Sequence, residues 1–262
     1  MKPSKIASWV IFIAGFLYFF VPLIATLIFS ITTNPPGRAY SNMFSDPQFF
    51  ASLSFSAIIG VLTIIFSILI IVPTAFWVRL RLPQLRPLIE FVTLMPFVIP
   101  PVILVFGLIH AYGGQSLVPL ANSDFGDNIL VVAAYVVLSL PYMYRSVDAG
   151  LRAIDVRTIT EASQSLGAGW IRILWQIILP NLRVALLSGM FLTFAIVIGE
   201  YTIATFLVRP SFGPYLSLLG QDNIYQSSAV TVVSFALTWI AMGLINVIGR
   251  RSKNQVPAVG GR

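Results

Sequence analysis

SLSFSAIIGVLTIIFSILIIVPTAFWV, residues 52–78, runs without a single charged side chain. About 20 largely apolar residues cross about 30 Å of hydrocarbon at about 1.5 Å per residue, so this stretch alone is long enough to span a bilayer. Its apolarity is uniform, without the in-and-out alternation of a barrel strand. Lipid offers the backbone no hydrogen-bond partner, and a helix satisfies its own N–H and C=O groups. The stretch reads as a membrane helix.

Five more stretches accompany it. Residues 9–31 are uncharged and too long for a signal-peptide core, and no small-residue cleavage site follows Ser30-Ile31-Thr32-Thr33-Asn34, so a retained first helix is expected. Residues 88–112 are interrupted by Pro96, Pro100 and Pro101. Residues 129–144 give only about 24 Å of helix and are expected to gain a turn at one end. Residues 184–208 carry one acid, Glu200, and residues 229–248 carry none. The chain as a whole is 57% hydrophobic and 10% charged, with a mean hydropathy of +0.90, against about a quarter charged in a soluble domain. The expectation is an all-α membrane protein of six transmembrane helices in one domain over residues 1–262, and the composition argues against a soluble enzyme.

A net charge of +7 and a pI near 10.0 would suit a nucleic-acid binder, but the basic residues are placed for another purpose. Six spans put Lys2, Lys5, Arg79, Arg81, Arg86, Arg145, Arg152, Arg157, Arg172, Arg183, Arg250, Arg251, Lys253 and Arg262 on one side. Arg38 and Arg209 remain on the other, with Asp46, Asp124, Asp127 and Asp222. Cytoplasmic loops retain Lys and Arg, so both termini are expected in the cytosol and no nucleic-acid partner is expected. The aromatic residues Trp9, Trp77, Tyr112, Tyr144 and Trp239 fall toward span ends, as an interfacial belt does. The chain has no cysteine, hence no disulfide, thiol nucleophile or Cys-ligated metal. None of its three lysines follows a glycine-rich loop, so it has no Walker A phosphate cradle. No cofactor or metal is expected on this chain, and any ATP it depends on is hydrolysed elsewhere. His110, the single histidine, has no second ligand at metal spacing and reads as an interfacial hydrogen-bonder.

One connection is long. Residues 145–183 are too polar to cross the membrane and too apolar to be a linker, and they read as two small helices forming an elbow over residues 155–180. Asp155 can cap the first, with Val156, Ile159, Ala162, Ser163 and Leu166 at three-and-four spacing on one face. Gly167 sits where a left-handed residue ends that helix, and Trp170–Ile178 forms a second helix stopped before Pro180.

Within this elbow Glu161-Ala162-Ser163 is followed by Gly167 and, after nine further residues, by Ile177, Leu179 and Pro180. The pattern resembles the signature of the membrane subunits of binding-protein-dependent ABC importers: Glu-Ala-Ala, three residues, Gly, nine residues, Ile-x-Leu-Pro. Ser163 is the single departure, small for small. Leu94-Met95-Pro96-Phe97-Val98-Ile99-Pro100-Pro101 is similar to the proline-rich third span of these permeases, and Gly199-Glu200-Tyr201-Thr202 to a segment late in their fifth. The resemblance implies the fold of a type I ABC importer transmembrane domain in a bacterial or archaeal cytoplasmic membrane. It also implies a second permease subunit, identical or homologous, two cytosolic ABC ATPases that hold ATP and magnesium, and an extracytoplasmic solute-binding protein. Glu161, Ala162, Ser163 and Gly167 would then belong to the coupling helix that seats in an ATPase. On the residues alone, Glu161 could instead complete a capping box with Thr158.

Glu200, with Tyr201 and Thr202 beside it, is the candidate for the translocation path, and the alternative is a structural hydrogen bond to a neighbouring helix. Pro96 and Pro100 mark either a static kink or a broken helix beside the path. Glu90, four residues from Arg86, reads as an interfacial ion pair. By resemblance the substrate expected first is a polyamine, with ferric iron, thiamine, phosphonate or sugar as alternatives. A secondary transporter or channel is the rival class, and it would need coupling acids beyond Glu200.

Overall fold

The computed structural model describes residues 3–114, 116, 118–121 and 123–253, so Lys2 and Arg262 lie outside the described residues. Every regular element among the described residues is a helix. In order these are α1 (Pro3–Ile31), α2 (Arg38–Ser45), α3 (Pro47–Leu80), a 3-10 turn at Pro83–Leu85, α4 (Arg86–Val98), α5 (Pro101–Tyr112), α6 (Asp124–Arg152) and α7 (Val156–Ser165). There follow α8 (Trp170–Arg172), a π-helical turn at Ile173–Ile178, α9 (Leu179–Asn181), α10 (Arg183–Gly199), α11 (Thr202–Phe206), α12 (Phe212–Asp222) and α13 (Ile224–Lys253).

Three helical stretches are long and apolar enough to cross a membrane alone: Ala7–Ile31, Pro47–Leu80 and Asp124–Arg152. Two more pass only as bent pairs, Pro83–Val98 with Pro101–Tyr112 at 100° and Trp170–Asn181 with Arg183–Gly199 at 80°. Among the described residues the spans therefore number three, or up to five with each bent pair taken as one, and Ile224–Ile240 is a shorter apolar helix. The helix expected over 129–144 is longer at both ends. Ser123 accepts a hydrogen bond from the backbone N–H of Gly126 and caps its start, and Asp148 pairs with Arg152 in its last turn.

The break between α4 and α5 falls at Ile99 and Pro100, both extended, while Pro96 sits inside α4. A residue before proline is pushed out of the α region. Two successive prolines therefore force two extended residues, and Pro101 restarts the helix at its first position, where its missing N–H costs nothing.

The chain packs as two units. The first comprises residues 1–51 and 215–239. Within it the Tyr215 hydroxyl donates to Asp46 Oδ2 at 2.7 Å, Ser30 and Tyr40 share a hydroxyl hydrogen bond of 2.7 Å, and the rings of Phe29 and Tyr225 stack at 4.6 Å.

The second unit comprises residues 52–214 and 240–262. Its centre is the pair α6 and α10. Helices surrounded by lipid gain little from burying one another's apolar faces, so close backbone approach and interhelical hydrogen bonds matter more. Gly150 provides the approach: a Cβ there would lie 2.6 Å from Ala185 Cβ. A buried Ser67–Ser139 hydroxyl pair at 2.8 Å ties α3 to α6. One buried apolar cluster joins Ile71, Val72 and Phe76 of α3 to Met143, Val147 and Leu151 of α6, to Ile173 and Ile178 of the elbow, and to Leu182 and Leu186. A second gathers Ile59, Val105, Leu130, Tyr135, Val197 and Ile203.

Candidate functional site: the elbow and the Glu200 corner

The elbow is a rigid outgrowth of the second unit. Asp155 caps α7, accepting from the Thr158 backbone N–H at 3.2 Å and from its hydroxyl at 2.8 Å. The Thr158 hydroxyl and N–H together hold the Asp155 carboxyl below its ordinary range. Glu161 accepts from Arg157 Nε at 2.8 Å, one turn away, and its side chain is 61% exposed. The capping pair with Thr158 is thus not the one formed: Thr158 turns to Asp155 and Glu161 to Arg157. Ser163 is buried, its hydroxyl donating to the Ile159 carbonyl at 2.6 Å, whereas Ala162 faces outward.

Gly167 takes φ +80°, a conformation that costs a residue with a Cβ roughly 1–2 kcal/mol. It turns the chain from α7 into the second helix. There Trp170 packs on Trp77 at 4.9 Å and carries Arg81 over its ring at 5.2 Å, and Ile173 and Ile178 enter the core with α3 and α6. The single face expected of Val156, Ile159, Ala162, Ser163 and Leu166 is split: Val156 and Ser163 are buried and Ile159 half-buried, whereas Ala162 is exposed and Leu166, next to the turn at Gly167, is 89% exposed, as is Ile171 at 78%. The elbow thus presents a small apolar knob rooted by its second helix in two long ones.

At the other end of α10 the span expected over 184–208 is broken. The helix stops at Gly199, Glu200 is extended, and the five-residue α11 follows. The cause is the Glu200 side chain. Its carboxylate is inside the unit, 9% exposed. It accepts from the backbone N–H of Ile203 at 2.9 Å, from that of Ala204 at 3.2 Å and from the Tyr135 hydroxyl at 2.9 Å. The first two bonds satisfy N–H groups at the start of α11, as an Asp or Ser cap would do from one residue later. The backbone here is also pressed from outside, because a Cβ on Gly213 would run into the Glu200 carbonyl oxygen. Arg209 closes the corner, reaching Asp124 Oδ1 at 3.0 Å, Asp127 Oδ2 at 3.7 Å and the Leu207 carbonyl at 3.0 Å.

Of the path candidates, then, the Glu200 carboxylate is turned into packing, Tyr201 stands 47% exposed at the break, and Thr202 is half-buried. Pro100 is exposed at the α4–α5 break and Pro96 half-buried. Glu90 does meet Arg86, at 2.8 Å. Sequence reasoning passed over Tyr135, an apolar-looking tyrosine in a span, and Asp148, whose position four residues before Arg152 was the available signal. Asp148 lies within 4 Å of Arg79, Arg86 and Arg152. Among the described residues no group of three His, Cys, Asp or Glu side chains is placed to hold a metal.

This architecture, an all-helical membrane unit with an elbow on its face and two interrupted spans, is that of type I ABC importer transmembrane domains. An importer of the acidic polysaccharide alginate matches with a TM-score of 0.73 at 14% identity, covering 94% of this chain and 95% of that one. The MetNI methionine transporter matches with a TM-score of 0.59 at 16% identity, covering 77% and 94%. Residues 79–254 match the family described as binding-protein-dependent transport system inner membrane component, and the chain belongs to it. It is a permease subunit of an ABC importer, a transport component rather than an enzyme. The molybdenum transport system permease protein ModB of Mycobacterium tuberculosis is 30% identical over 210 residues, 76% of each chain. The "probable transport system permease protein NifC" of Clostridium pasteurianum is 22% identical over 248 residues, 90% of this chain and 86% of that one. Other relatives carry molybdate/tungstate, sulfate and ferric iron in their names. None of these relatives is named for a polyamine, so the polyamine expectation finds no support among them, whereas ferric transport, one of the expected alternatives, does appear in a relative's name.

Proposed function

We propose that this chain is the membrane half of an ATP-driven importer for a tetrahedral oxyanion of the molybdate, tungstate or sulfate kind. It crosses a bacterial or archaeal cytoplasmic membrane six times with both termini in the cytosol, as the Lys and Arg asymmetry supports. Two permease chains, identical or paired with a homologue, enclose the path. An extracytoplasmic solute-binding protein supplies cargo, a reading supported by the alginate transporter's structure in complex with a periplasmic protein bound to alginate pentasaccharide. Two cytosolic ATPases hold ATP and magnesium and receive the elbow, and this chain hydrolyses nothing.

The observation that carries the reading is the elbow. Glu161, Ala162 and Leu166 face outward while Trp170, Ile173 and Ile178 are locked to α3 and α6. A force applied to the knob therefore moves two long helices as one body. The cargo reading rests on the relatives' names and on Glu200, whose carboxylate is occupied by three donors and offers a cation little. Tyr201, exposed at the break, is the path residue of this pair.

The test is ATPase activity of the assembled complex in proteoliposomes with and without loaded binding protein. Glu161→Lys and Gly167→Val are expected to abolish stimulation while leaving assembly of the spans intact. Wild-type stimulation in both would overturn the coupling role. Calorimetric titration of the cognate binding protein with molybdate, tungstate, sulfate and spermidine checks the cargo, and tight binding of spermidine alone would overturn the oxyanion.

A further inference from the structure

A groove lies between α4 and α6. Glu90, Thr93 and Leu94 of α4 and Tyr144, Arg145, Asp148, Ala149 and Arg152 of α6 line a cavity of about 340 Å³. The spacings on both helices are three and four residues, so each contributes one continuous face. The walls are charged. Arg86 lies 2.8 Å from Glu90 and 3.5 Å from Asp148. Arg152 donates to Asp148 from Nε at 2.8 Å and approaches Glu90 at 3.7 Å, and Arg79 reaches Asp148 at 3.7 Å. Two carboxylates thus hold three guanidinium groups.

Arg145 is a fourth. It lines the cavity, is exposed, and has no ion-pair partner among the described residues. The lining sets Arg145 and Arg152 against Glu90 and Asp148, and since Arg79 and Arg86 beside the cavity also pair with those two carboxylates, Arg145 is left without an acid to neutralise it. The three paired guanidinium groups are fixed in orientation before any ligand arrives, which lowers the ordering cost of binding. Guanidinium groups recognise phosphate-type oxygens by two parallel N–H bonds. Tyr144 and Leu94 give the groove an apolar flank, and basic pockets between membrane helices near the interface suit lipid head groups.

We propose that this groove binds a phosphate-type oxyanion, with Arg145 as its principal ligand and with Arg152 positioned beside it by Glu90 and Asp148, which Arg79 and Arg86 hold from outside the lining. The oxyanion is either the head-group phosphate of an anionic phospholipid or a free ion of the same charge. This site is separate from the elbow and from the Glu200 corner, and it stands whether or not the cargo is an oxyanion.

The experiment uses the full complex with its ATPases in nanodiscs, either of phosphatidylcholine alone or with phosphatidylglycerol added. Retained lipid is read by native mass spectrometry, and binding of inorganic phosphate by titration in the phosphatidylcholine discs. Wild type is expected to retain the anion, Arg145→Lys, which keeps the charge but loses the paired N–H geometry, to bind measurably more weakly, and Arg145→Gln to lose about fivefold in affinity. Arg38→Gln on α2 is expected to change nothing. Selective retention of phosphatidylglycerol identifies the lipid as the source, and saturable phosphate binding without it identifies the free ion. If neither is bound by the wild type, or if Arg145→Gln binds as the wild type does, the proposal is overturned. Arg145→Lys, assembled and folded, keeps the result readable even where Arg145→Gln assembles poorly.

Discussion

Glu161 and Glu200 are both acids next to a helix start or a helix turn, and they live under opposite conditions. Glu161 sits in the open with one exposed partner, Arg157. Glu200 is buried with three donors aimed at it. An exposed, solvent-screened ion pair at i,i+4 contributes little to stability, so Glu161 adds little to the fold. A buried carboxylate is tolerable only when fully hydrogen-bonded, and its removal strands each donor at roughly 1–3 kcal/mol. The difference teaches that a buried acid can hold a bend in the chain together, as Glu200 does between residues 199 and 204, while an exposed one such as Glu161 contributes little to the fold.

Four measurements test that contrast. The largest effect is expected from Glu200→Ala, which strands the Tyr135 hydroxyl and the N–H groups of Ile203 and Ala204. The assembled permease should lose about 3 kcal/mol or more, read as a fall in thermal midpoint and as new protease cleavage between residues 199 and 209. Glu200→Gln keeps an acceptor and should fall between wild type and Ala; an unchanged midpoint in both variants would reduce the corner to a passive bend. Next comes Gly167→Val, which forces a β-branched residue into φ +80° at a cost of roughly 1–2 kcal/mol. Distances from a spin label at Leu166 to one in α6 should shift, with little change in global midpoint.

Tyr135→Phe removes one of the three donors to Glu200 and should cost about 1 kcal/mol. Combined with Glu200→Ala it should cost clearly less than the sum, because the two changes delete the same bond. Strict additivity would mean that the hydroxyl has another purpose. The smallest effect concerns pH. Asp155, ordinarily near 3.8, is depressed in the folded elbow by Thr158. A carboxyl with a lowered folded pKa stabilises above its unfolded value, and that contribution is lost as pH falls through the folded one. The α7 start should therefore be insensitive from pH 7 to 5 and loosen below about 4, seen as rising mobility of a label at Gln164. Asp155→Asn should flatten that profile.

How much of this the sequence could reveal depends on the range of the force involved. Hydropathy located α1, α3 and α6 because one-dimensional apolarity is enough to define a span. The Pro100-Pro101 break was visible because proline acts on its immediate neighbour. The end of α10 was not, since nothing in Val197-Ile198-Gly199-Glu200-Tyr201 forbids a helix. The stop depends on a side chain reaching forward to Ile203 and Ala204 and on Tyr135, 65 positions away. The shared face drawn for the first elbow helix was too wide: Ala162 lies at its outer edge, and at Leu166 helical spacing no longer applies, because the turn at Gly167 follows at once. The elbow's signature was legible residue by residue, whereas the Arg145 groove required knowing that α4 and α6 lie side by side.

The π-helical turn at Ile173–Ile178, where the N–H of Leu179 bonds to the carbonyl of Leu174, has a further meaning. Such a turn holds one residue more than an α-helix allows, and each residue advances the angle by about 100°. It works as a phase adjuster. Upstream, Trp170 packs on Trp77; downstream, Ile178 and Leu182 lie in the buried cluster with α3 and α6; the extra residue sets the angle between these two contacts. The nine residues between Gly167 and Ile177 are thus an angular setting as much as a distance. Adding or deleting one of them would leave the composition almost untouched and swing the knob about 100° away from whatever it is meant to engage.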